Sequence, residues 1–319
     1  MPACAMTISP ADISAAAARI APYVRHTPIM RLAAGDLGLS LAVTLKLELL
    51  QHAGSFKPRG AFNRILRAQA DGLVPASGVI AASGGNHGAA VAYAAQQLGL
   101  TAEIYVPKLT PAAKCDRIES FGARLVRTGA AYADAFAASQ IRAAESGALV
   151  IHAYDHEDVL AGQGTTAREF EADAPDLTHV LVATGGGGLI GGMAAWFAGR
   201  VKVISVEPVG CPTLHGALAA GHPVVGPVGG VASDSLGAKQ VGALMFPIAQ
   251  RFVSEAVLVT DEAIIAAQRT LWDQMRLIAE PGGATALSAL LSGAWTPPPG
   301  AKIGALVCGA NADPAKIAG

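Results

Sequence analysis

An alternation that runs through most of the chain does most to limit its fold. Short runs rich in β-branched residues are followed by longer Ala-rich runs with apolar residues at helical spacing. That order is the pattern of parallel β-α-β units, whose sheet is covered on both faces. It predicts an α/β fold with strands near residues 43–47, 79–82, 102–106, 124–127, 149–152, 179–183, 201–206 and 303–307. Helices are predicted at 59–70, 87–98, 111–121, 131–145, 158–172, 189–198 and 261–275.

Predicted strands cluster between residues 75 and 150, enough for a small doubly wound lobe. Residues 1–74 and 151–319 then make the larger lobe. A cleft between two open sheets, at the carboxyl ends of their strands, is where such folds bind ligands. With 52% hydrophobic and 15% charged residues over 319 positions, the chain can bury a large core. Its net charge is -1 and its 23 Lys and Arg are scattered, which argues against nucleic-acid binding. A small neutral or zwitterionic ligand fits better. Cys4, Cys115, Cys211 and Cys308 lie far apart, so neither a disulfide framework nor a zinc site is indicated. Asp12 interrupts the apolar N-terminal stretch, no basic leader precedes it, and no later run is long enough to span a bilayer. A soluble cytoplasmic protein with no membrane partner is expected. Pro297, Pro298 and Pro299 read as a rigid surface connection before the last strand.

Three glycine-rich turns carry the candidates for chemistry. Gly54-Ser55-Phe56-Lys57-Pro58-Arg59-Gly60 enters a helix with proline in a favoured first-turn position. Lys57 therefore sits at a helix N-terminus, where the dipole disfavours a cation. Partial burial there lowers the pKa and readies the amine for a Schiff base with an aldehyde. The plain alternative is a solvated lysine. Ser83-Gly84-Gly85-Asn86-His87 exposes successive backbone N–H groups at another helix start, suited to a carboxylate or a phosphate. Asn86 either caps that helix or meets a ligand, and His87 reads as structural.

The third turn is Gly185-Gly186-Gly187-Gly188-Leu189. Four consecutive glycines cost chain entropy unless bare backbone is needed, and a phosphate at the helix start is a reason to need it. No Gly-Lys-Ser/Thr follows, and the spacing is not a clean G-x-G-x-x-G. A tight strand-to-helix crossing is the alternative. Cys308, at the end of the last predicted strand, is either a small buried hydrophobe or a ligand contact. Glu207 and Glu280 read as caps.

In this order the blocks S-F-K-P-R-G-A-F-N, S-G-G-N-H-G, A-G-Q-G-T and G-G-G-G-L, after Arg25-His26-Thr27-Pro28, resemble the serine/threonine dehydratase family. These are pyridoxal-phosphate (PLP) enzymes of the tryptophan-synthase β-like fold, fold type II, with serine racemase and threonine synthase among their relatives. The resemblance covers nearly all of the chain. It implies two open doubly wound lobes with a PLP cleft between them. Lys57 would carry the cofactor as a Schiff base, Phe56 would pack beside the ring, and Asn86 would bond the ring's phenolic oxygen. Gly185, Gly186, Gly187, Gly188 and Leu189 would cradle the phosphate. Cys308 matches the position facing the pyridine nitrogen. A thiol is a weak neutral partner there, which keeps the ring unprotonated and favours prompt β-elimination. Ser83, Gly84, Gly85, Asn86 and His87 would hold the substrate, with Lys57 and Ser83 as the catalytic residues.

The implied reaction is dehydration and deamination of L-threonine, L-serine or a similar β-hydroxy amino acid to a 2-oxo acid and ammonia. Two positions depart from the family. Gly84 stands where serine racemases carry a second serine as acid/base on the face opposite Lys57, which speaks against racemisation. Thr213, six positions after Glu207, replaces an acidic residue of the family's divalent-cation site, so no tightly bound metal is expected. The sequence ends shortly after Asn311, so no regulatory domain is expected, and the resemblance implies a homodimer. Rival readings on the same scaffold are serine racemase, hydroxyaspartate or phenylserine dehydratase, and β-replacement. Rivals of another class are a nicotinamide-dependent dehydrogenase and a catalytically silent ligand-binding regulator.

Overall fold

The computed structural model describes residues 8–317, and these form two sheets. The expectations attached to Cys4 and to the first seven residues lie outside the described residues. In chain order the strands are β1 (Ile29–Leu32), β2 (Val43–Lys46), β3 (Val79–Ala82), β4 (Ala102–Val106) and β5 (Arg124–Arg127). There follow β6 (Leu149–Val150), β7 (His179–Ala183), β8 (Lys202–Pro208), β9 (Val253–Val259) and β10 (Ile303–Leu306). The larger sheet has the order β1-β2-β10-β7-β8-β9 and the smaller β5-β4-β3-β6. Every neighbouring pair is parallel except β1 with β2.

The last strand in sequence sits in the middle of the larger sheet, with Ile303 opposite both Val43 and His179. All four residues of β10 are buried, as a central parallel strand covered by helices requires. Gly304 is needed there because a Cβ would stand 2.7 Å from the Phe170 ring. Two strands have no counterpart in the sequence prediction. β1 is a four-residue antiparallel edge, and β9 is an edge strand that leaves Ser254 and Glu255 exposed, so neither shows a continuous apolar run. β6 stops at Val150, short of the predicted His152, because the chain turns there. The His152 Nδ1 accepts the N–H groups of Tyr154 and Asp155. The helix Pro281–Leu291 is another addition; it is buried nearly all round and so carries no polar face to reveal its period.

One core lies along the larger sheet and another along the smaller. The second recruits Ala61, Phe62 and Ile65 from the helix Lys57–Ala70. The start of that helix is tied to the other sheet: the Phe56 N–H donates to the Cys308 carbonyl at 3.2 Å, and Ser55 bridges Gly309. Lys57 is therefore seated where the two lobes meet. Beneath it the fully buried Arg59 pairs with Glu48 and Glu169, each at 2.7 Å, and Lys46 pairs with Glu169 and Asp173 at 3.1 Å. Removing one partner from such a network strands a buried charge, at a cost of about 3–5 kcal/mol, so the turn is held firmly. Among the described residues no helix is long and apolar enough to cross a membrane.

Candidate active site

Parallel strands end on one edge of a sheet, and the turns at those ends meet between the lobes. From the small sheet come the turn after β3 (Ser83 to His87) and the turn after β6 (His152 to Tyr154). From the large sheet come the glycine run after β7 and Cys308 after β10. Lys57 opens its helix and reaches the turn after β6, its Nζ donating to the Ala153 carbonyl at 3.0 Å and lying 5.1 Å from the Phe56 ring centroid. Burial pushes its pKa down to about 8, against upward pulls from Cys308 and Glu280. A fraction of the amine is thus neutral near neutral pH, as a nucleophile and base must be.

Cys308 is buried, its Sγ 3.4 Å from the Gly282 carbonyl oxygen. Burial first, and the neighbouring Glu280 second, push its pKa upward, so it remains a neutral thiol.

Asn86 does not cap its helix. The N-cap is Gly85, with no side-chain bond, and the Asn86 amide turns to other partners, using one of its two N–H donors. Its Nδ2 donates to Glu280 Oε1 at 2.5 Å and its Oδ1 accepts from Asn311 Nδ2 at 2.5 Å. Asn311 also donates to the Ala53 carbonyl at 2.9 Å. The capping expectation for Glu280 is corrected too. It occupies the N-cap position of the helix Pro281–Leu291 without making a side-chain cap bond. Burial pushes its pKa up to about 7, with the Asn86 bond pulling the other way. Glu280 and Asn311 are site residues that sequence reasoning missed; the nearest signal is Gly309, where any Cβ would collide with the Glu280 carboxylate.

His87 is buried, with Nε2 2.8 Å from the Ile151 carbonyl. Burial and then Lys57 push its pKa down to about 3, so it is a neutral structural histidine. Ser83 Oγ accepts the Gly85 N–H at 3.2 Å. Gly84 lacks a positive φ; what restricts it is the Thr110 methyl, 2.8 Å from where a Cβ would stand. Gly84, Gly85, Asn86, Lys114, Glu280 and Asn311 line one pocket. Its rim is bridged by an ion pair between Lys114 of the small lobe and Asp234 of the large lobe.

The glycine run makes a donor cradle. Among the described residues, none accepts a hydrogen bond from the backbone N–H of Gly185, Gly186, Gly187, Gly188 or Leu189. These residues are buried apart from the partly exposed Gly186, and buried donors left unpaired are rare. An anion at the start of the helix Gly188–Phe197 would satisfy them, so the run fits a phosphate such as that of PLP. The missing side chains have a second reason: Cβ atoms at Gly186 and Gly188 would strike Tyr154, and Gly187, at φ 86, abuts Met245.

Glu207 is a cap. Its carboxylate accepts the N–H groups of Leu214 at 2.7 Å and His215 at 2.8 Å, and burial pushes its pKa up to about 7. No group of three or more His, Cys, Asp or Glu converges among the described residues.

Comparison with known proteins identifies the family. The chain is 37% identical over 277 residues to an L-threonine ammonia-lyase of Geobacter sulfurreducens, covering 86% of this chain and 68% of the relative. It is 35% identical over 314 residues to a phenylserine dehydratase of Ralstonia pickettii, covering 96% and 95%. The structure of maize serine racemase superposes with a TM-score of 0.91 at 33% identity, covering 98% of this chain and 96% of that one. The profile of the pyridoxal-phosphate dependent enzymes matches residues 20–309. That span includes the lysine turn, the glycine cradle and the thiol after β10, and it establishes that the chain belongs to the pyridoxal-phosphate dependent enzyme family.

Proposed function

We propose that this enzyme is an ammonia-lyase that takes water and then ammonia from a small β-hydroxy amino acid, L-threonine or L-serine, and releases a 2-oxo acid. The observation that carries the reading is a buried amine, Lys57, within electrostatic reach of a thiol kept neutral, Cys308, and bonded to the Ala153 carbonyl, next to the Tyr154 that packs against the glycine run. Lys57 would hold PLP through Nζ, the N–H groups of Gly185 to Leu189 its phosphate, Asn86 its phenolic oxygen and Cys308 its ring nitrogen. Bound PLP supplies an electron sink that acidifies the substrate's α-carbon. Lys57, neutral in part near pH 7, is the base for the α-proton. The N–H groups at the start of the helix Asn86–Gln97 bind the substrate carboxylate, with Ser83 beside them. Cys308 lends the ring no charge, which favours loss of the β-hydroxyl over prolonged carbanion chemistry.

We also assign residues 75–150 to a small domain and 1–74 with 151–319 to a large one, a division supported by the span of β3 to β6. The free thiols of Cys115, Cys211 and Cys308 accord with a cytoplasmic enzyme, and the family resemblance supports a homodimer. The deciding experiment is a panel of β-hydroxy amino acids scored for 2-oxo acid and ammonia. L-threonine and L-serine should be turned over; a holoenzyme inert to both would sink the proposal.

One observation favours a second reading, an aryl β-substituent. The rings of Tyr132 and Phe136 stack at 6.1 Å and are 56% and 39% exposed, just past the carboxyl end of β5. Burial raises the pKa of Tyr154 beside the cradle, and the charge of Tyr132 adds to it, so the two phenols are near each other. Phenylserine belongs in the panel, and Tyr132→Ala should impair it more than threonine.

A further inference from the structure

The cradle donates to a phosphate only if its peptide planes are turned the right way. In a trans peptide the C=O and the following N–H point in opposite directions, so fixing a carbonyl on one side aims the next N–H to the other. Three successive carbonyls in the run are fixed. The Gly187 oxygen accepts the Gly191 N–H at 2.8 Å, and the Gly186 oxygen accepts the Gly242 N–H at 3.0 Å. The Gly185 oxygen accepts the Thr213 hydroxyl at 2.7 Å. The first two are backbone bonds. The third depends on a single side chain.

Thr213 is itself held in place. It opens the helix Thr213–Ala220, whose next two N–H groups are capped by Glu207, and Glu207 Oε1 lies 3.2 Å from its hydroxyl oxygen. Glu207 Oε2 is 3.3 Å from Ser205 Oγ, which donates to Thr184 Oγ1 at 2.8 Å. Thr184, Ser205, Glu207 and Thr213 are all buried, so the group has no water to replace a lost bond. A hydroxyl has one hydrogen, and the shorter contact, to Gly185, takes it.

We propose that Thr213 is a positioning residue for the cofactor phosphate: by holding the Gly185 carbonyl it aims the Gly186 N–H into the cradle. The proposal rests on the reading that this cradle takes the phosphate. It concerns binding of that group and assigns Thr213 no contact with it.

The test compares dissociation constants of PLP and of pyridoxal, which lacks the phosphate, for the cofactor-stripped full chain, followed by the Schiff-base absorbance. The wild type should prefer PLP strongly. Thr213→Val, near in shape but without the hydroxyl, should weaken PLP by about tenfold and leave pyridoxal unchanged. Thr213→Ser should restore the preference. If the Val variant does not fold, the comparison passes to Thr213→Ala, for which the same loss is expected. A folded Val or Ala variant with the full wild-type preference overturns the positioning role and spares the phosphate reading. A wild type that binds PLP and pyridoxal equally overturns both.

Discussion

Asn86 of the small lobe and Glu280 of the large lobe are joined across the cleft by a 2.5 Å bond from the amide to the carboxyl oxygen. The bond links a turn that the sequence marks as a ligand site to a carboxyl group that the sequence marks only as a cap. It also places a buried acid within the electrostatic reach of Lys57.

That acid makes stability depend on pH. The folded value of Glu280 is raised from 4.5 to about 7, so the folded state holds a proton that the unfolded chain has lost. Its stabilisation is fully present below the unfolded value and disappears as pH rises through about 7. The Glu280 contribution to the melting temperature of the cofactor-free protein should therefore fall between about pH 5 and about pH 8, while buried His87, its pKa lowered to about 3, adds a rise through the histidine range. Glu280→Gln, which keeps an oxygen for Asn86 and cannot ionise, should flatten part of that fall. Some slope should remain, since Glu207 is raised in the same direction. Parallel profiles for variant and wild type would remove Glu280 from the account.

Lys57 yields a prediction with a covalent readout. Borohydride reduction of the holoenzyme should fix the cofactor to the peptide that contains Lys57, and Lys57→Ala should lose both that adduct and turnover, the latter by about a thousandfold or more. Capture of PLP by the cofactor-free wild type should accelerate with pH and reach half its limit near the lowered value of about 8. An adduct on another lysine in the variant would move the assignment elsewhere.

Much of the candidate site was legible in the sequence because its parts are local. A turn, a helix start and bare glycines sit within a few residues of each other, so Lys57, Ser83 to His87 and Gly185 to Leu189 declare themselves. The fold was legible for a related reason: buried parallel strands such as β3 and β7 are continuous apolar runs. The two edge strands β1 and β9 are not, and they were missed. What the sequence did not disclose is pairing at long range. Asn86 meets Glu280 at a separation of 194 residues and Asn311 at 225, and no spacing rule joins such positions. What opposes a side chain at Gly84 is a long-range contact of the same kind, with Thr110 in the turn after β4.

Cys308 tests the chemistry of the ring nitrogen. Cys308→Ser exchanges one weak neutral partner for another, so elimination should survive within about tenfold. Cys308→Asp introduces a carboxylate beside Lys57 and Glu280, which should protonate the ring, red-shift its absorbance and divert product toward transamination. The buried site opposes an ionised aspartate, so the variant should also lose thermal stability. An Asp variant with unchanged spectrum and products would make Cys308 a packing residue.

The balance between elimination and racemisation turns on Gly84. Racemisation requires a proton to leave one face of the α-carbon and another to arrive on the opposite face, and Lys57, in the proposed role, serves only one. The family resemblance assigns the opposite face to position 84, where this chain has no side chain. With L-serine, pyruvate should therefore exceed D-serine by a wide margin, as chiral chromatography of the products can measure. Gly84→Ser alone is a poor way to add the missing acid: its backbone is not in the left-handed region, but its Cβ would stand 2.8 Å from the Thr110 Cγ2. Gly84→Ser combined with Thr110→Ser removes that methyl and keeps the hydroxyl 3.3 Å from the new Cβ. The double variant should form more D-serine than either the wild type or Gly84→Ser, with the single variant losing stability from the clash. Wild-type D-serine formation as fast as pyruvate formation would show that this cleft delivers a proton from a group other than residue 84, and the dehydratase proposal would fall with it.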